Sequence, residues 1–238
     1  ALGFSGGVDS SYLLYAGVQA GADIHPYYIK TAFQPQFELD DAERLCAQLG
    51  VPLTVLELDV LKNEAVTANP PDRCYHCKNT LFRQILRAAE NDGFPVLLDG
   101  TNASDDAGDR PGMRALRELS VRSPLRECGL TKGRIRELSR EAKLFTWDKP
   151  AYACLATRIP TGTPIQARDL ERVERAEAAL AALGFRDFRV RLFHGAARIQ
   201  VTAAQLPLAL ERREDLTAAL RSDFSDILLD LAPRAPSA

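Results

Sequence analysis

Ser5, Gly6, Gly7, Asp9 and Ser10 fall within eight consecutive residues, Phe4-Ser-Gly-Gly-Val-Asp-Ser-Ser11. Paired glycines can turn successive N–H groups toward one anion, and a helix predicted over 11 to 20 would aim its positive end at the same point. The serines add hydroxyl donors. A carboxylate beside a phosphate site makes sense only with Mg²⁺ or a donor between them, which makes Asp9 the diagnostic residue. A plain Gly-rich strand-to-helix turn capped by serine is the competing reading. The string contains no lysine and no GK[ST], so it is not a Walker A loop.

Cysteines form the second set. Cys74 and Cys77 stand three apart in Asp72-Arg-Cys-Tyr-His-Cys-Lys78, ahead of an amphipathic helix carrying Leu81, Phe82, Ile85, Leu86 and Ala89. Two thiols at a helix start can face one centre, where the dipole favours thiolates; zinc, an iron–sulfur cluster, a redox pair and coincidence all stay open. No second CxxC or CxxH answers this one, so a four-ligand zinc site lacks half its donors. Cys154 lies in Trp147 to Pro160, between Lys149 and Arg158, and reads either as a reactive thiolate or as a buried inert thiol. Cys46, on the apolar face of a helix over 38 to 49, reads as core, and Cys128 as structural or incidental.

The elements that must position these groups follow from pattern. Strands at 24–30, 52–58 and 95–99 alternate with helices, which argues a parallel sheet with ligands beyond its carboxyl ends. The apolar stub Ala1 to Phe4 is read as the end of a strand begun before the sequence given. Strand 95–99 runs into Gly100-Thr-Asn-Ala-Ser-Asp-Asp-Ala-Gly-Asp-Arg110, where Gly100, Asp105, Asp106, Asp109 and Arg110 are candidates for substrate or metal, unless the loop is simply solvated. Thr131 is a plausible N-cap, and Lys132 just after it opposes the helix dipole, so an anionic partner is predicted for it. Beyond Thr161-Gly-Thr-Pro164 come a charged helix (169–183), strand 188–193, a tight His194-Gly195 turn, strand 198–202, a helix near 206–221 and strand 227–231. The predicted organisation is therefore an α/β parallel-sheet domain over 1–160, a small α+β domain over 165–232, and a disordered tail over 233–238.

The chain has 238 residues, with 30 basic against 32 acidic residues and a formal charge of −2. Such a balance gives no general pull toward nucleic acid. No apolar run approaches a transmembrane span and no signal peptide is read ahead of the loop. Five cysteines, an odd number, argue against a disulfide framework. A cytoplasmic protein with no nucleic-acid or membrane partner is the expectation.

SGGVDS resembles the SGGxDS signature of the PP-loop ATP pyrophosphatases, and SPL…LTKGRIRELS resembles a second element of that superfamily, whose lysine approaches the ATP phosphates. Together with CYHCK, DGTNASDDAGDRPG and KPAYACLATRIPTG in this order, the whole chain resembles the LarE family of ATP-dependent sulfur transferases in nickel-pincer cofactor synthesis. The resemblance implies an adenine nucleotide alpha hydrolase-like fold and AMP-plus-pyrophosphate chemistry. It implies that ATP adenylylates a carboxylate of a pyridinium biscarboxylate mononucleotide and that a sulfur nucleophile then displaces AMP. Some members sacrifice the sulfur of the cysteine matching Cys154; others carry the CxxC as well and are read as holding a [4Fe-4S] cluster on three thiolates. Having Cys74, Cys77 and Cys154, this chain matches the second kind. On that basis Ser5, Gly6, Gly7, Asp9 and Ser10 are assigned to ATP and Mg²⁺, Lys132 to phosphate, Cys154 to catalysis, and Glu177, Arg189 and Arg191 to a substrate phosphate or metal site. A sulfide source is the implied further partner, and a homo-oligomer is expected. A tRNA thiolase, a non-catalytic nucleotide or metal binder and an amidotransferase-type ligase are the rival readings.

Overall fold

The computed structural model describes residues 1–105 and 111–235, and the chain divides into two compact units. The first comprises Ala1–Val66 and Pro70–Lys149, the second Thr67–Asn69 and Pro150–Ala238.

The first unit runs β1 (Leu2–Gly3), α1 (Val8–Gln19), β2 (Pro26–Lys30), α2 (Gln36–Leu49), β3 (Thr54–Glu57), α3 (Glu64–Thr67, whose last residue belongs to the second unit), α4 (Arg73–Asn91), α5 (Pro111–Glu118), α6 (Pro124–Glu127) and α7 (Lys132–Glu141). β1, β2 and β3 pair in parallel in that order, with Tyr27 opposite Thr54 and Leu2 opposite Pro26. The strand predicted at 95–99 contributes only single parallel bridges, Leu98 to Leu2 and Leu98 to Arg122. Its backbone leaves the ladder at Asp99, whose buried carboxylate accepts from Thr101 Oγ1 (2.5 Å) and Ser123 Oγ (2.6 Å) and so bends the chain at once into the Gly100 loop. One core packs α1, α2 and α7 through Leu13, Leu14, Leu45 and Ile135, with Leu144 just beyond α7, against Tyr28; another packs α4 through Ile85 and Ala89 against Tyr27 and Ile29. Both faces of the sheet are thus covered, as parallel strands require.

α1 starts at Val8, not at 11, because Gly7 serves as its N-cap. Asp9 consequently sits inside the first helical turn, where a carboxylate is favoured by the dipole.

The second unit carries α8 (Ala167–Ala182), β4 (Arg189–Phe193), β5 (Ala196–Gln200), α9 (Leu206–Glu211), α10 (Arg213–Leu220) and β6 (Ile227–Leu229). β4 and β5 are antiparallel and β6 joins β5 in parallel. His194 and Gly195 take φ of 49° and 87° between Phe193 and Ala196, the paired left-handed geometry of a two-residue hairpin loop. This pulls β5 forward to Ala196 from the predicted start at 198. Segment 150–160, predicted to close the first domain, groups with the second unit. Leu155 and Arg158 are buried there, and Asn69, fully buried, donates to the carbonyls of Pro160 (2.8 Å) and Thr163 (3.1 Å). Of the tail predicted to be disordered, Arg234 N donates to Val201 O (3.0 Å) and its side chain pairs with Asp187; residues 236–238 lie outside the described set. Among the described residues no helix is long and apolar enough to cross a membrane.

Candidate functional site

The loop between β1 and α1 is built around Gly6, whose φ is +67°. A Cβ there would stand 3.0 Å from Glu38 O and 3.2 Å from Ala42 Cβ, so the position excludes side chains both by conformation and by the closeness of α2. Ser5 Oγ lies 3.1 Å from Ser10 Oγ, and Ser10 Oγ in turn donates to Gly7 O (3.3 Å), which ties the loop across its own mouth. Among the described residues no side chain caps α1, so the N–H groups at its positive end are left without a side-chain acceptor at the cap. Gly100 approaches from the end of the Leu98 strand: a Cβ on it would come within 2.9 Å of Ser10 N. Gly100, predicted to serve substrate or metal, is packed closely on the loop's own backbone. Substituting Gly6 with alanine is expected to abolish binding of nucleotide phosphates. The check is equilibrium dialysis with radiolabelled ATP, and binding within twofold of the unaltered chain would contradict it.

The predicted anionic partner of Lys132 is Asp9, with Nζ to Oδ2 at 2.7 Å. Among the described residues, Asp9 Oδ1 is buried with no hydrogen-bond partner. A carboxylate oxygen left unsatisfied at a helix N-terminus suits a hard cation such as Mg²⁺, which binds through one or two carboxylates together with substrate phosphates. Lys132 N also donates to Ser104 Oγ (3.0 Å), fastening α7 to the Gly100 loop. Asp105 turns out to cap its own turn, with Oδ2 accepting from Asn102 N (2.9 Å). Asp106, Asp109 and Arg110 lie outside the described residues.

Sequence reasoning missed Asp41 and Lys149 at this site. Lys149 Nζ sits 2.6 Å from Asp41 Oδ2 and 3.4 Å from the carbonyl of Gly6. The only signal was a lysine just before proline, 143 residues from its partner in the loop.

Cys74 and Cys77 occupy the first turns of α4, Cys74 exposed and Cys77 partly so. Tyr75, between them, donates to Glu118 Oε2 (2.7 Å) and lies beneath the Arg114 guanidinium (3.8 Å), which clamps this end of α4 to α5. His76 turns instead to Asp72 (3.4 Å). Cys46 is core, as read: burial pushes its thiol up to about 11, which leaves it inert.

Cys154 belongs to the second unit. Its carbonyl accepts from Thr157 N (3.0 Å) and Thr157 Oγ1 (2.8 Å), so a short 3₁₀ turn fixes the backbone beneath a partly exposed thiol. The turn is held by Arg158, whose side chain is wholly buried. Arg158 binds Glu177 with Nε to Oε1 at 2.7 Å and Nη2 to Oε2 at 3.0 Å, and donates from Nη1 to Ala153 O (2.9 Å). Burial acts to lower the guanidinium pKa, but the hydrogen bonds and charge of Glu177 outweigh it and the net shift is upward. Glu177 also accepts from Tyr152 OH (2.5 Å, on Oε2) and Val190 N (2.9 Å, on Oε1). The carboxylate's roughly four lone-pair sites are therefore all taken, so Glu177 anchors Arg158 and has none left for the metal predicted for it.

Arg189 and Arg191, neighbours on one face of β4, are held differently. Arg189 donates to Phe188 O (2.6 Å) and Ala151 O (2.5 Å); Arg191 donates to Gln200 Oε1 (2.7 Å) and Thr157 O (2.5 Å). All four acceptors are uncharged. Burial first, then the nearby charges of Arg158 and Arg234, bring Arg189 down to about 10 and lower Arg191 as well. Two half-compensated cations crowded by two others make a place where an anion is stabilising.

Within neither unit, among the described residues, do three or more His, Cys, Asp or Glu side chains gather as a metal site. The donor set of a [4Fe-4S] cluster is thus not met inside either one: Cys74 and Cys77 are in the first and Cys154 in the second.

No family model matches the chain. It is 36% identical over 208 residues to an uncharacterised protein of Synechocystis, spanning 86% of this chain and 77% of that protein. Identity is 31% over 231 residues to the pyridinium-3,5-bisthiocarboxylic acid mononucleotide synthase of Lactiplantibacillus plantarum, spanning 96% of this chain and 84% of the synthase. A tRNA-specific 2-thiouridylase, MnmA of Clostridium acetobutylicum, is 26% identical over 186 residues, which is 62% of this chain and 52% of that enzyme. The glycine-built loop, its paired aspartate and lysine, and a relative matched nearly end to end lead to one conclusion: the chain belongs to the LarE family of ATP-dependent sulfurtransferases, within the PP-loop superfamily.

Proposed function

We propose that the chain activates a carboxylate of a pyridinium biscarboxylate mononucleotide with ATP and replaces one of its oxygens by sulfur, on the route to a nickel-pincer cofactor. The observation that carries this is Asp9: a buried carboxylate oxygen that has no hydrogen-bond partner among the described residues, in the first turn of a helix with no side-chain cap among them, beside a glycine loop and next to Lys132. In this reading Ser5, Gly6, Gly7 and Ser10 cradle the pyrophosphate end of ATP, Asp9 holds Mg²⁺, and Lys132 moves from Asp9 toward phosphate once the ion takes its place. Mg²⁺ would neutralise charge on the departing pyrophosphate. The carboxylate oxygen attacks the α-phosphorus, the bond to pyrophosphate breaks, and the acyl carbon gains AMP as a leaving group. Attack by sulfur on that carbon then expels AMP, a step the free carboxylate could not support.

Cys154 supports the role of sulfur nucleophile by its type, its exposure and its fixed backbone. If its own sulfur is used, the C–S bond to the acyl carbon forms, a proton leaves Cα, and the Cβ–Sγ bond breaks, giving thiocarboxylate and dehydroalanine. The cluster route suggested by Cys74 and Cys77 is a distinct proposal, and no step here runs through it. Anaerobic reconstitution separates the two. A chain that takes up iron and sulfide and turns over with Cys154 intact supports the cluster; a chain that takes up neither and loses one sulfur from Cys154 supports sacrifice.

Arg189 and Arg191 fit the mononucleotide's phosphate. Changing both to alanine is expected to weaken mononucleotide binding by about a hundredfold, a charge-assisted hydrogen bond being lost at each, with ATP binding little changed. Calorimetric titration of each ligand is the check, and equal loss of both would refute the assignment.

The function as a whole is tested by incubating the chain with ATP, Mg²⁺ and the mononucleotide. AMP, pyrophosphate and a thiocarboxylate are expected in equal amounts. ATP cleavage and sulfur incorporation with tRNA instead of the mononucleotide would move the chain to the thiouridylase chemistry of its MnmA relatives.

A further inference from the structure

Lys149 is fixed at three points. Its ammonium is paired with Asp41 of α2 at 2.6 Å, its backbone carbonyl accepts from Arg136 of α7 (3.0 Å), and the following proline restricts its backbone to extended conformations. Arg136 also holds Trp147 O (2.7 Å) and lies one helical turn after Lys132, so a single helix positions both lysines. The ammonium also lies 5.4 Å from the centroid of the Phe37 ring and 3.4 Å from the carbonyl of Gly6.

That carbonyl belongs to the peptide joining Gly6 and Gly7. Its oxygen and the N–H of Gly7, which makes a long hydrogen bond to Ser5 Oγ (3.4 Å), point in opposite directions across one rigid plane. A peptide between two glycines can flip at little steric cost, and in the flipped state the oxygen would face the anion and the N–H would be lost to it. Loop sequence alone therefore does not guarantee an anion-binding loop; something must hold the oxygen on the far side. We propose that Lys149, kept in place by Asp41, is a positioning residue that locks the Gly6–Gly7 peptide in its anion-binding orientation. The proposal rests on the reading that the loop binds ATP, and it assigns Lys149 no contact with phosphate.

Binding of ATP·Mg²⁺ to the intact chain, measured by calorimetry with thermal unfolding recorded in parallel, tests it. Lys149→Met is expected to weaken binding by about tenfold, Lys149→Arg to keep most of it, and Asp41→Asn to weaken it in the same direction. The double variant Asp41→Asn/Lys149→Met should be no worse than Lys149→Met alone, because the two residues act as one device. Mononucleotide binding should stay constant throughout. A lysine that touched phosphate directly would give the opposite sign at Asp41: removing its competitor would tighten ATP binding, and that result overturns the proposal. So does a Lys149→Met variant that binds ATP as tightly as the unaltered chain. If Lys149→Met fails to fold, the sign at Asp41→Asn decides. Failure of the unaltered chain to bind ATP at all would overturn the loop reading and this inference with it, whereas the other two results leave that reading standing.

Discussion

Replacing Cys154 with serine is expected to end thiocarboxylate formation, with a loss of at least about a thousandfold, the scale on which removing a nucleophile registers. A hydroxyl can neither carry sulfur to the acyl carbon nor leave from Cβ as a thiocarboxylate. The substitution is nearly isosteric, and it leaves in place the backbone carbonyl of this position, which accepts from Thr157 N and Thr157 Oγ1. Folding and nucleotide binding should therefore survive, and pyrophosphate should still be released once per chain as the substrate is adenylylated. Quenched-flow measurement of pyrophosphate beside mass analysis of the product separates the two half-reactions. The control is Cys46→Ala, which removes a buried thiol that burial has made unreactive and should leave turnover per folded chain unchanged. Sulfur transfer by the serine variant at the unaltered rate would remove Cys154 from the chemistry.

The second large effect falls on stability. Arg158→Met is expected to cost roughly 3–5 kcal/mol, the usual consequence of removing one partner from a buried ion pair. The side chain of Arg158 is 0% exposed and that of Glu177 is 5% exposed, so the orphaned carboxylate has no route to water. Methionine fills the volume but leaves Glu177 two donors short. Lysine should not rescue, since the pairing is bidentate and needs the guanidinium fork. Chemical denaturation followed by tryptophan-independent circular dichroism gives the measurement, because the sole tryptophan, Trp147, lies in the other unit. A change under about 1 kcal/mol, the value of an exposed pair, would show that Arg158 does not organise the turn beneath Cys154.

How far the sequence reveals this arrangement depends on whether a residue's role is local. The Gly6-Gly7 loop and the His194-Gly195 turn are legible because glycine spacing is itself the geometry. Lys132 was legible by conflict: a cation in a first helical turn is unfavourable unless an anion answers it, and Asp9 does. Arg158, Glu177 and Tyr152 were not. Glu177 was singled out through the family resemblance alone, for phosphate or metal and not for Arg158: it sits on a helix so rich in charge that its sequence reads as a solvated face, and nothing local marks it as the glutamate turned inward. The same holds for Asp41 and Lys149, ordinary surface residue types until the fold brings them together. The strand at 95–99 misled in another way. Its apolar run is real, but Asp99 finds three side-chain and backbone donors in the next turn and the loop that follows α5, and these draw the chain out of the ladder after a single bridge on each side of Leu98.

The most direct test of carboxylate activation is isotopic. With both oxygens of the substrate carboxylate labelled with ¹⁸O, a single turnover with ATP should place one label in the phosphate of AMP and leave the other in the thiocarboxylate. AMP carrying no label, or ATP cleaved to ADP and phosphate, would contradict adenylylation at the SGGVDS loop.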